Sequence, residues 1–292
     1  MIKAKALITG AGGQVGLELQ ATAPPDWQIL ACTSQDLDVT RAEAVRELLE
    51  RERPAVIIQA AAYTDVDTAE REVQQAEAVN TTGASHVAAE AARMGAHMIY
   101  LSTDFVFDGK QGHPYAPNDP ATPLGVYGRT KLAGEQEVTR LTRGAALIVR
   151  TAWVYSVHGR NFVQTMLRLM SEQDSVSVVC DQVGTPTWGR TLAQALWTAA
   201  ARPTLHGTVH WTDAGVSSWY DFAVAIQEEA LALGLLRSAV PVRPIRTGEF
   251  PTAARRPSYS VLDKTSGWSA LGGPAPHWRI NLRTMLQGLS RA

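Results

Sequence analysis

The sequence predicts an α/β protein with a doubly wound parallel sheet (a Rossmann-type fold), followed by a smaller α/β domain. A strand predicted at Ala4–Thr9 leads into a glycine-rich turn and a helix. Apolar strand-like runs then alternate with helical segments up to about residue 150, after which the pattern is less regular. Such alternation is typical of parallel sheets with helices on both faces. We place the first domain at 1–150 and the second mainly at 151–292, with later segments returning to the first.

Composition narrows the class of protein. The chain has 292 residues, 45% hydrophobic residues and a formal net charge of −1, which is typical of a globular protein with a sizeable core. Because no basic face is evident, we expect no nucleic-acid partner. No apolar run approaches the roughly 20 residues of a membrane span, and we identify no signal peptide. Cys32 and Cys180 lack disulfide or zinc spacing, so we expect a cytoplasmic protein without membrane attachment.

The turn after the first strand has glycines at 10, 13 and 16, and we expect a helix from Leu17. Glycines there allow a tight turn and a close approach of the backbone to a pyrophosphate, whose charge the free amides of the helix N-terminus favour. A glycine-rich turn without a ligand is the alternative. Because the turn joins the first strand to the first helix, we favour a dinucleotide, with these candidate residues: Gly10, Gly13, Gln14, Val15 and Gly16.

The second strand, predicted at Trp27–Cys32, should end beside the cofactor ribose. It is followed by three neutral polar residues at 33–35, so the sequence does not choose between NADPH and NADH and predicts modest discrimination. Ser34 is a candidate contact, and Asp38 and Val39 could reach the adenine end. Asp38 could instead, or in addition, cap a helix that starts near Thr40 and spans 41–53.

The third strand, predicted at 54–62, is apolar and ends in small residues that would admit a flat cofactor. Candidate contacts at its carboxyl end, where ligands bind in open α/β sheets, are Ala62, Tyr63 and Thr64. We expect a helix over 69–94 with a break near Gly83, then a strand at 96–102.

Polar residues that could transfer a proton follow this strand. Tyr127 and Lys131 are four residues apart and share one face if they begin a helix. A nearby ammonium favours the phenolate, so we expect the pKa of Tyr127 to be lowered. Thr103 could hold a substrate carbonyl against the tyrosine, with Asp104 beside it. The alternatives are an ordinary exposed helix start for the pair, a cap for Thr103 and a turn for Asp104.

These motifs resemble the extended short-chain dehydrogenases and, within them, the dTDP-4-dehydrorhamnose reductases. The resemblance covers nearly the whole chain. Gln35 and Gln59 depart from it, where members often have arginine and asparagine, and the first departure bears on cofactor preference. The segments that carry the resemblance are 102–109 (STDFVFDG), 127–135 (YGRTKLAGE), 150–155 (RTAWVY), 181–187 (DQVGTPT) and 255–257 (RRP).

The resemblance implies that NADPH or NADH reduces the C4 keto group of dTDP-4-dehydro-β-L-rhamnose. Tyr127 would donate a proton, Lys131 would lower its pKa and bind the nicotinamide ribose, and Thr103 would orient the carbonyl. Thr103, Asp104 and Trp153 would contact the dTDP-sugar, although Trp153 could equally be a buried aromatic. An epimerase or dehydratase is a rival, as is a non-catalytic dinucleotide-binding subunit. A dehydratase is disfavoured because Phe105, not an acid, follows Asp104.

The same resemblance raises a Mg²⁺-bridged dimer, which the sequence disfavours. Glu18 occupies one position where some members have a glutamate ligand. No acid follows Pro186-Thr187, and none ends the chain at 289–292. One carboxylate makes a weak Mg²⁺ site, so we expect no metal and no Mg²⁺-bridged dimer, with Glu18 an exposed residue of the first helical turn.

The second half is predicted to be shorter elements around a separate apolar core. Phe222, Ala225 and Ile226 form an apolar stripe that we assign to this core. The segment 241–257 is rich in proline, and we expect it to be irregular. The remaining helices are predicted at 161–170, 191–202 and 219–233, and the strands at 176–180 and 207–211.

Overall fold

The structure, a computed structural model, describes residues 4–290. Its centre is a six-stranded parallel sheet with the order β10-β5-β4-β3-β1-β2. β10 comes from the second half of the chain, so the polypeptide does return to the sheet after residue 150. The predicted domain boundary itself stays a prediction. The six strands are β1 (Ala4–Thr9), β2 (Trp27–Cys32), β3 (Val56–Gln59), β4 (His97–Thr103), β5 (Leu147–Thr151) and β10 (Gly207–His210).

Helices cover both faces of this sheet, as the alternating pattern predicts. One face packs against α1 and α8, and Leu19 and Trp197 are among the buried contacts. The other face packs against α2, α5 and α6 through residues such as Leu49 and Val138. The helices of this part are α1 (Gln14–Ala21), α2 (Ala42–Glu52), α3 (Val66–Ala69), α4 (Val73–Glu77), α5 (Ala84–Met94), α6 (Val126–Leu141) and α8 (Gly189–Ala200).

A second apolar core lies in the later part of the chain. It includes Phe222, Ala225 and Ile226, so the predicted apolar stripe is buried as expected. The helices of the later part are α7 (Phe162–Glu172), α9 (Trp219–Ala232), α10 (Thr265–Leu271) and α11 (Trp278–Leu289). Its short strands are β6 (Val154–Tyr155), β7 (Val176–Val179), β8 (Val183–Gly184), β9 (Thr187–Trp188), β11 (Ser217–Ser218) and β12 (Val242–Ile245).

Tertiary contacts decide several boundaries that the sequence misses. The prediction of an irregular 241–257 segment is wrong at Val242–Ile245, because β12 pairs there in parallel with β7. Pro244 of β12 is tolerated in a two-stranded ribbon with open edges. Helix α8 begins two residues earlier than predicted. The carboxylate of Asp213 accepts hydrogen bonds from the Trp188 amide (3.0 Å) and the Thr191 hydroxyl (2.6 Å), which satisfies donors of the first turn.

The predicted break near Gly83 is a π-helical turn. Residues Ala78–Gly83 form it, between α4 and α5. Such turns often occur at functional sites, and this one faces α6. Among residues 4–290, no helix is both long enough and apolar enough to cross a membrane.

The docking of α6 onto this π-turn generates a prediction about Gly134. A Cβ at Gly134 would lie 2.3 Å from the carbonyl oxygen of Asn80 and 2.4 Å from the hydroxyl of Tyr100. Alanine normally gains about 1 kcal/mol over glycine in a helix, but overpacking costs about 1–3 kcal/mol. We expect Gly134→Ala to lower the free energy of unfolding by about 1–2 kcal/mol in urea titrations.

Gly288→Ala in α11 is the matched control. Its Cβ would meet only Val157, at 3.7 Å, so we expect a neutral or slightly stabilising effect. Equal stabilisation by both substitutions would contradict the close docking of α6.

Candidate active site

The glycine turn lies between β1 and α1, at the carboxyl edge of the sheet. Gly10 has a φ of +67°, and a Cβ there would lie 2.6 Å from the Ala61 amide nitrogen. Helix α1 begins at Gln14, three residues before the predicted Leu17. Because the N-cap is Gly13, no capping side chain occupies the first amides, which are free to bind an anion. The five predicted turn residues, Gly10, Gly13, Gln14, Val15 and Gly16, therefore lie together, and their binding role stays a prediction.

At the end of β2, the structure places a carboxylate, Asp36, that the sequence puts just after the three neutral residues at 33–35. Asp36 accepts hydrogen bonds from the backbone amide (2.9 Å) and the hydroxyl (2.7 Å) of Thr33. These hydrogen bonds lower the pKa of Asp36 below its usual value. An ionised carboxylate thus lies beside the exposed Ser34, where the sequence suggested only neutral groups. The spacing of Asp and Thr in an Asx-type turn could have indicated it.

Asp38 does not cap α2, so that prediction is wrong. Its carboxylate accepts from the amide (3.0 Å) and hydroxyl (2.7 Å) of Thr40. The helix starts later, at Ala42, with Arg41 as N-cap, because this local turn already satisfies Asp38. Asp38 is exposed and Val39 is buried, so the adenine contact proposed for them stays a prediction.

The loop after β3 is held by Asn80, a residue that the sequence analysis did not single out. The Asn80 side chain accepts from the Tyr63 amide (2.8 Å) and donates to the Tyr63 carbonyl and the Thr130 hydroxyl (both 3.1 Å). It therefore joins the predicted cofactor loop, with Ala62, Tyr63 and Thr64, to α6 one residue before Lys131. The run Asn-Thr-Thr-Gly within an otherwise helix-favouring segment was the available signal.

Thr103, Asp104, Tyr127 and Lys131 are brought together at the end of β4 and the start of α6. Tyr127 lies in the first turn of α6, as predicted. The Thr103 hydroxyl oxygen accepts from the Phe105 amide at 3.1 Å and lies 3.1 Å from Oδ1 of Asp104. Thr103 thus performs the capping role weighed above, and its hydroxyl also approaches the phenol of Tyr127.

Burial dominates the ionisation of these groups. It raises the pKa of Asp104 to about 6, against hydrogen bonds from Ser260 and Thr103 that favour the charged form. Burial also lowers the pKa of Lys131 to about 7, while the charge of Glu135 opposes this shift. Both shifts follow from the cost of removing a charge from water.

The expected lowering of the Tyr127 pKa is wrong for this structure. Burial of the hydroxyl, helped by the charge of Asp104, raises the pKa of Tyr127 to about 12, and the Thr103 hydroxyl only partly offsets this. The Lys131 ammonium is directed elsewhere: it donates to the carbonyl of Leu101 at 2.6 Å and lies 4.1 Å from the centre of the Tyr100 ring. Tyr127 is therefore an un-ionised phenol, the form that can give up a proton.

Trp153 lies between β5 and β6. Its φ is +47°, which is unusual for a large side chain, and its indole stacks on Trp219 at 3.5 Å with planes 6° apart. The ring also lies against Gly184, where a Cβ would approach within 2.5 Å. Trp153 is only partly buried, which fits both alternatives that the sequence left open, a sugar contact and a packed aromatic.

Glu18 is not the exposed residue that we expected. Its side chain is buried, with 2% of the residue exposed, and its Oε1 accepts from the Ser156 hydroxyl at 2.7 Å. The segment after β6 folds back over α1 and covers it, which a helical pattern alone does not indicate. Within residues 4–290, no three acidic, histidine or cysteine side chains are grouped as for a metal ion. Residues 291–292, used in the metal argument, lie outside the described residues.

Comparison with known proteins identifies the family. The model of the RmlD substrate binding domain family matches residues 4–291. The chain belongs to this family. The dTDP-4-dehydrorhamnose reductase of Mycobacterium tuberculosis is 43% identical, over 96% of this chain and 91% of its own length. The dTDP-4-dehydrorhamnose reductase of Escherichia coli K12 is 37% identical, over 97% of each chain. The spore coat polysaccharide biosynthesis protein SpsK of Bacillus subtilis is 39% identical, over 99% of each chain.

Solved structures agree with this assignment. A dTDP-4-dehydrorhamnose reductase from Bacillus anthracis, in complex with NADP, has a TM-score of 0.92 and 37% identity, covering 98% of this chain and 99% of that one. A dTDP-4-dehydrorhamnose reductase from Clostridium acetobutylicum has a TM-score of 0.91 and 39% identity, covering 98% of this chain and 99% of that one. The predicted fold class and family are therefore confirmed.

The contact between Gly184 and Trp153 generates a prediction. In Gly184→Ala the new methyl group would displace the Trp153 indole from its stack on Trp219. We expect a change in tryptophan fluorescence and about a tenfold loss of dTDP-sugar affinity, comparable with one aromatic contact of about 1.4 kcal/mol, with dinucleotide affinity unchanged.

Gly248→Ala is the control, because a Cβ there would meet no atom within 4 Å. Unchanged sugar affinity in Gly184→Ala, despite an altered fluorescence spectrum, would show that Trp153 is only a packed aromatic.

Proposed function

We propose that the protein is an NAD(P)H-dependent oxidoreductase that reduces the C4 keto group of dTDP-4-dehydro-β-L-rhamnose to dTDP-β-L-rhamnose. Full-length similarity to reductases of this name supports the reaction and the dTDP-sugar substrate. One observation carries the assignment to residues: Tyr127 and Lys131, in the first turns of α6, lie beside Thr103 at the end of β4. The cytoplasmic location and the lack of a nucleic-acid partner stay predictions from the sequence.

The residues present fit a dinucleotide. The uncapped N-terminus of α1 can take a pyrophosphate, and the buried Oε1 of Gln14 has no partner within the described chain. Bound NADPH or NADH would supply the hydride that adds to the C4 carbonyl carbon. Lys131 would hold the nicotinamide ribose, and Ala62, Tyr63 and Thr64 would line the same side.

In the proposed chemistry, Tyr127 gives its phenolic proton to the carbonyl oxygen as the carbon–oxygen double bond becomes a single bond. The ketone gains two electrons with the hydride and becomes an alcohol. Thr103 orients the carbonyl oxygen toward the phenol. Asp104 and Trp153 would lie on either side of the sugar. A phenol with a pKa of about 12 is a weak acid, so Lys131 must approach Tyr127 in the loaded enzyme to favour the phenolate product.

Tyr127→Phe tests the role of the phenol. Phenylalanine keeps the ring and its edge contact with Phe105 (5.7 Å between ring centres) but has no proton to give. We expect kcat to fall by about 10²–10⁴-fold, as for loss of a general acid, with dinucleotide affinity within a few-fold of wild type. The measurement is NADPH oxidation with dTDP-4-dehydrorhamnose and identification of the product.

Tyr220→Phe provides a control for loss of a tyrosine hydroxyl elsewhere. Turnover of Tyr127→Phe within a few-fold of wild type would eliminate the proton-donor role. Wild-type conversion of the sugar without stoichiometric NADPH consumption would instead indicate an epimerase. Binding of dinucleotide without any turnover would indicate the regulatory alternative.

Asp36 gives a prediction about cofactor preference. Its carboxylate at the end of β2 would repel a 2′-phosphate and can accept from a ribose hydroxyl, so it favours NADH. We expect Asp36→Asn to raise the ratio of kcat/KM for NADPH over that for NADH by about tenfold, which corresponds to about 1.4 kcal/mol. Asp26→Asn, in an exposed turn before β2, is the charge-matched control. An unchanged ratio would show that Asp36 acts only in the turn with Thr33.

The surroundings of Glu18 predict the effect of metal removal. The carboxylate of Glu18 accepts a hydrogen bond from Ser156, and the guanidinium of Arg190, at the start of α8, lies 5.7 Å from the Trp188 ring centre. A buried carboxylate that already accepts a hydrogen bond is a poor start for a Mg²⁺ site. We expect EDTA to leave turnover and the sedimentation coefficient unchanged. A loss of either that added Mg²⁺ reverses would overturn the prediction.

A further inference from the structure

A buried ion pair joins α6, the helix of Tyr127 and Lys131, to the neighbouring strand β5. Arg150 donates from Nε to Oε1 of Glu135 (2.9 Å) and from Nη2 to Oε2 (2.6 Å), in a two-pronged arrangement. The two side chains are only 6% and 5% exposed. Nη1 of Arg150 donates to the carbonyl of Pro117 at 3.1 Å, and the guanidinium carbon lies 5.2 Å from the centre of the Phe107 ring. The Pro117 carbonyl and the Phe107 ring thus cover the guanidinium where Glu135 does not.

Glu135 is four residues after Lys131, so the two side chains lie on one face of α6. Lys131 is also buried, with 2% of the residue exposed. Its ammonium rests on the Leu101 carbonyl and the Tyr100 ring, the contacts described above. Two buried groups of opposite charge therefore lie one helical turn apart, yet each is bound to a different partner.

The two tyrosines near Lys131 are un-ionised near neutral pH, whereas Asp104, with a pKa of about 6, is largely ionised but acts on Tyr127 and not on Lys131. From β4, Tyr100 has a pKa raised well above its usual value by burial, and its hydroxyl donates to the Asn80 carbonyl. From α6 itself, Tyr127 is an un-ionised phenol, and Asp104 acts on that phenol. Within the described residues, Glu135 is the one charged group that shifts the pKa of Lys131.

We propose that Arg150 is a positioning residue for the reaction: by neutralising Glu135, it prevents the Lys131 ammonium from pairing with that carboxylate and leaves it free to turn from the Leu101 carbonyl to the cofactor and the phenol. Without Arg150, a buried carboxylate would be left uncompensated. Lys131 lies one helical turn away on the same face of α6, and rotation of its flexible side chain would bring the ammonium toward Glu135 without movement of the helix. The inference rests on the proposed role of Lys131, not on the identity of the sugar.

The decisive experiment measures dinucleotide affinity against pH, by fluorescence titration with NADPH in the absence of sugar. This readout stays valid even if the sugar reaction assigned above is wrong. The variants are Arg150→Met, the double variant Arg150→Met/Glu135→Gln, and the matched control Arg140→Met. Arg140 is on α6, as Glu135 is, and pairs with Glu137 on the solvent-exposed face of that helix. Thermal melting of each variant separates loss of folding from loss of binding.

In wild type, affinity should fall as pH rises through the Lys131 pKa of about 7, because the ammonium is lost. In Arg150→Met we expect about a tenfold weaker affinity at pH 6, where Lys131 is charged but diverted, equivalent to about 1.4 kcal/mol. The alkaline fall should move upward by about one pH unit, because an uncompensated carboxylate stabilises the ammonium. The control should match wild type in both respects.

The double variant removes the carboxylate together with the guanidinium, so we expect its affinity and pH midpoint to return to within about threefold and a few tenths of a pH unit of wild type. In a Lys131→Met background, Arg150→Met should have no further effect on affinity. The proposal is overturned if Arg150→Met melts at a lower temperature but keeps the wild-type pH midpoint, or if the double variant stays as weak as the single one. Either result would leave Arg150 with a structural role only.

Discussion

The close docking of α6 against β4 and the π-helical turn is the constraint on which the site depends. Gly134 brings the helix within contact of the Asn80 carbonyl and the Tyr100 hydroxyl. Asn80 then bonds both to the loop after β3 and to Thr130. As a result, the loop after β3, the end of β4 and the first turns of α6 are fixed relative to one another. A reaction that depends on the alignment of three partners needs this degree of preorganisation.

Burial that results from this docking sets the chemistry of the titratable groups. A carboxyl, a phenol and an ammonium within a small volume are all shifted toward their neutral forms. None of these shifts comes mainly from a neighbouring charge, in contrast to the simple picture of a lysine that lowers the pKa of a tyrosine. The electrostatic benefit of Lys131 to Tyr127 therefore belongs to the loaded enzyme, in which a cofactor would draw the ammonium toward the reacting centre.

Two ion pairs, one buried and one partly exposed, differ in how strongly they affect their surroundings. Glu135 and Arg150 are both buried, so their mutual neutralisation matters to every charge within a helical turn. Asp67 and Arg256, by contrast, are partly exposed at 2.7 Å and connect α3 to the segment after β12. Water screens such a pair, so its contribution to stability is small, and its main effect is to hold the later segment beside α3.

Sequence alone determined the elements whose signals are local. Apolar strands that alternate with helices predicted the parallel sheet, the glycine spacing predicted the turn before α1, and the Tyr-x-x-x-Lys spacing placed Tyr127 and Lys131 on one helical face. These features depend on the periodicity of a single segment or on turn chemistry, so they survive without knowledge of the rest of the chain.

Only the tertiary structure decided what lies against what. It buried Glu18 beneath Ser156, made Asn80 the link between the β3 loop and α6, paired Val242–Ile245 with β7, and turned the Lys131 ammonium toward Leu101. Each outcome depends on residues distant in sequence, and desolvation, which sets the pKa values of Asp104, Tyr127 and Lys131, is a property of the assembled surroundings. No pattern within one segment encodes those surroundings.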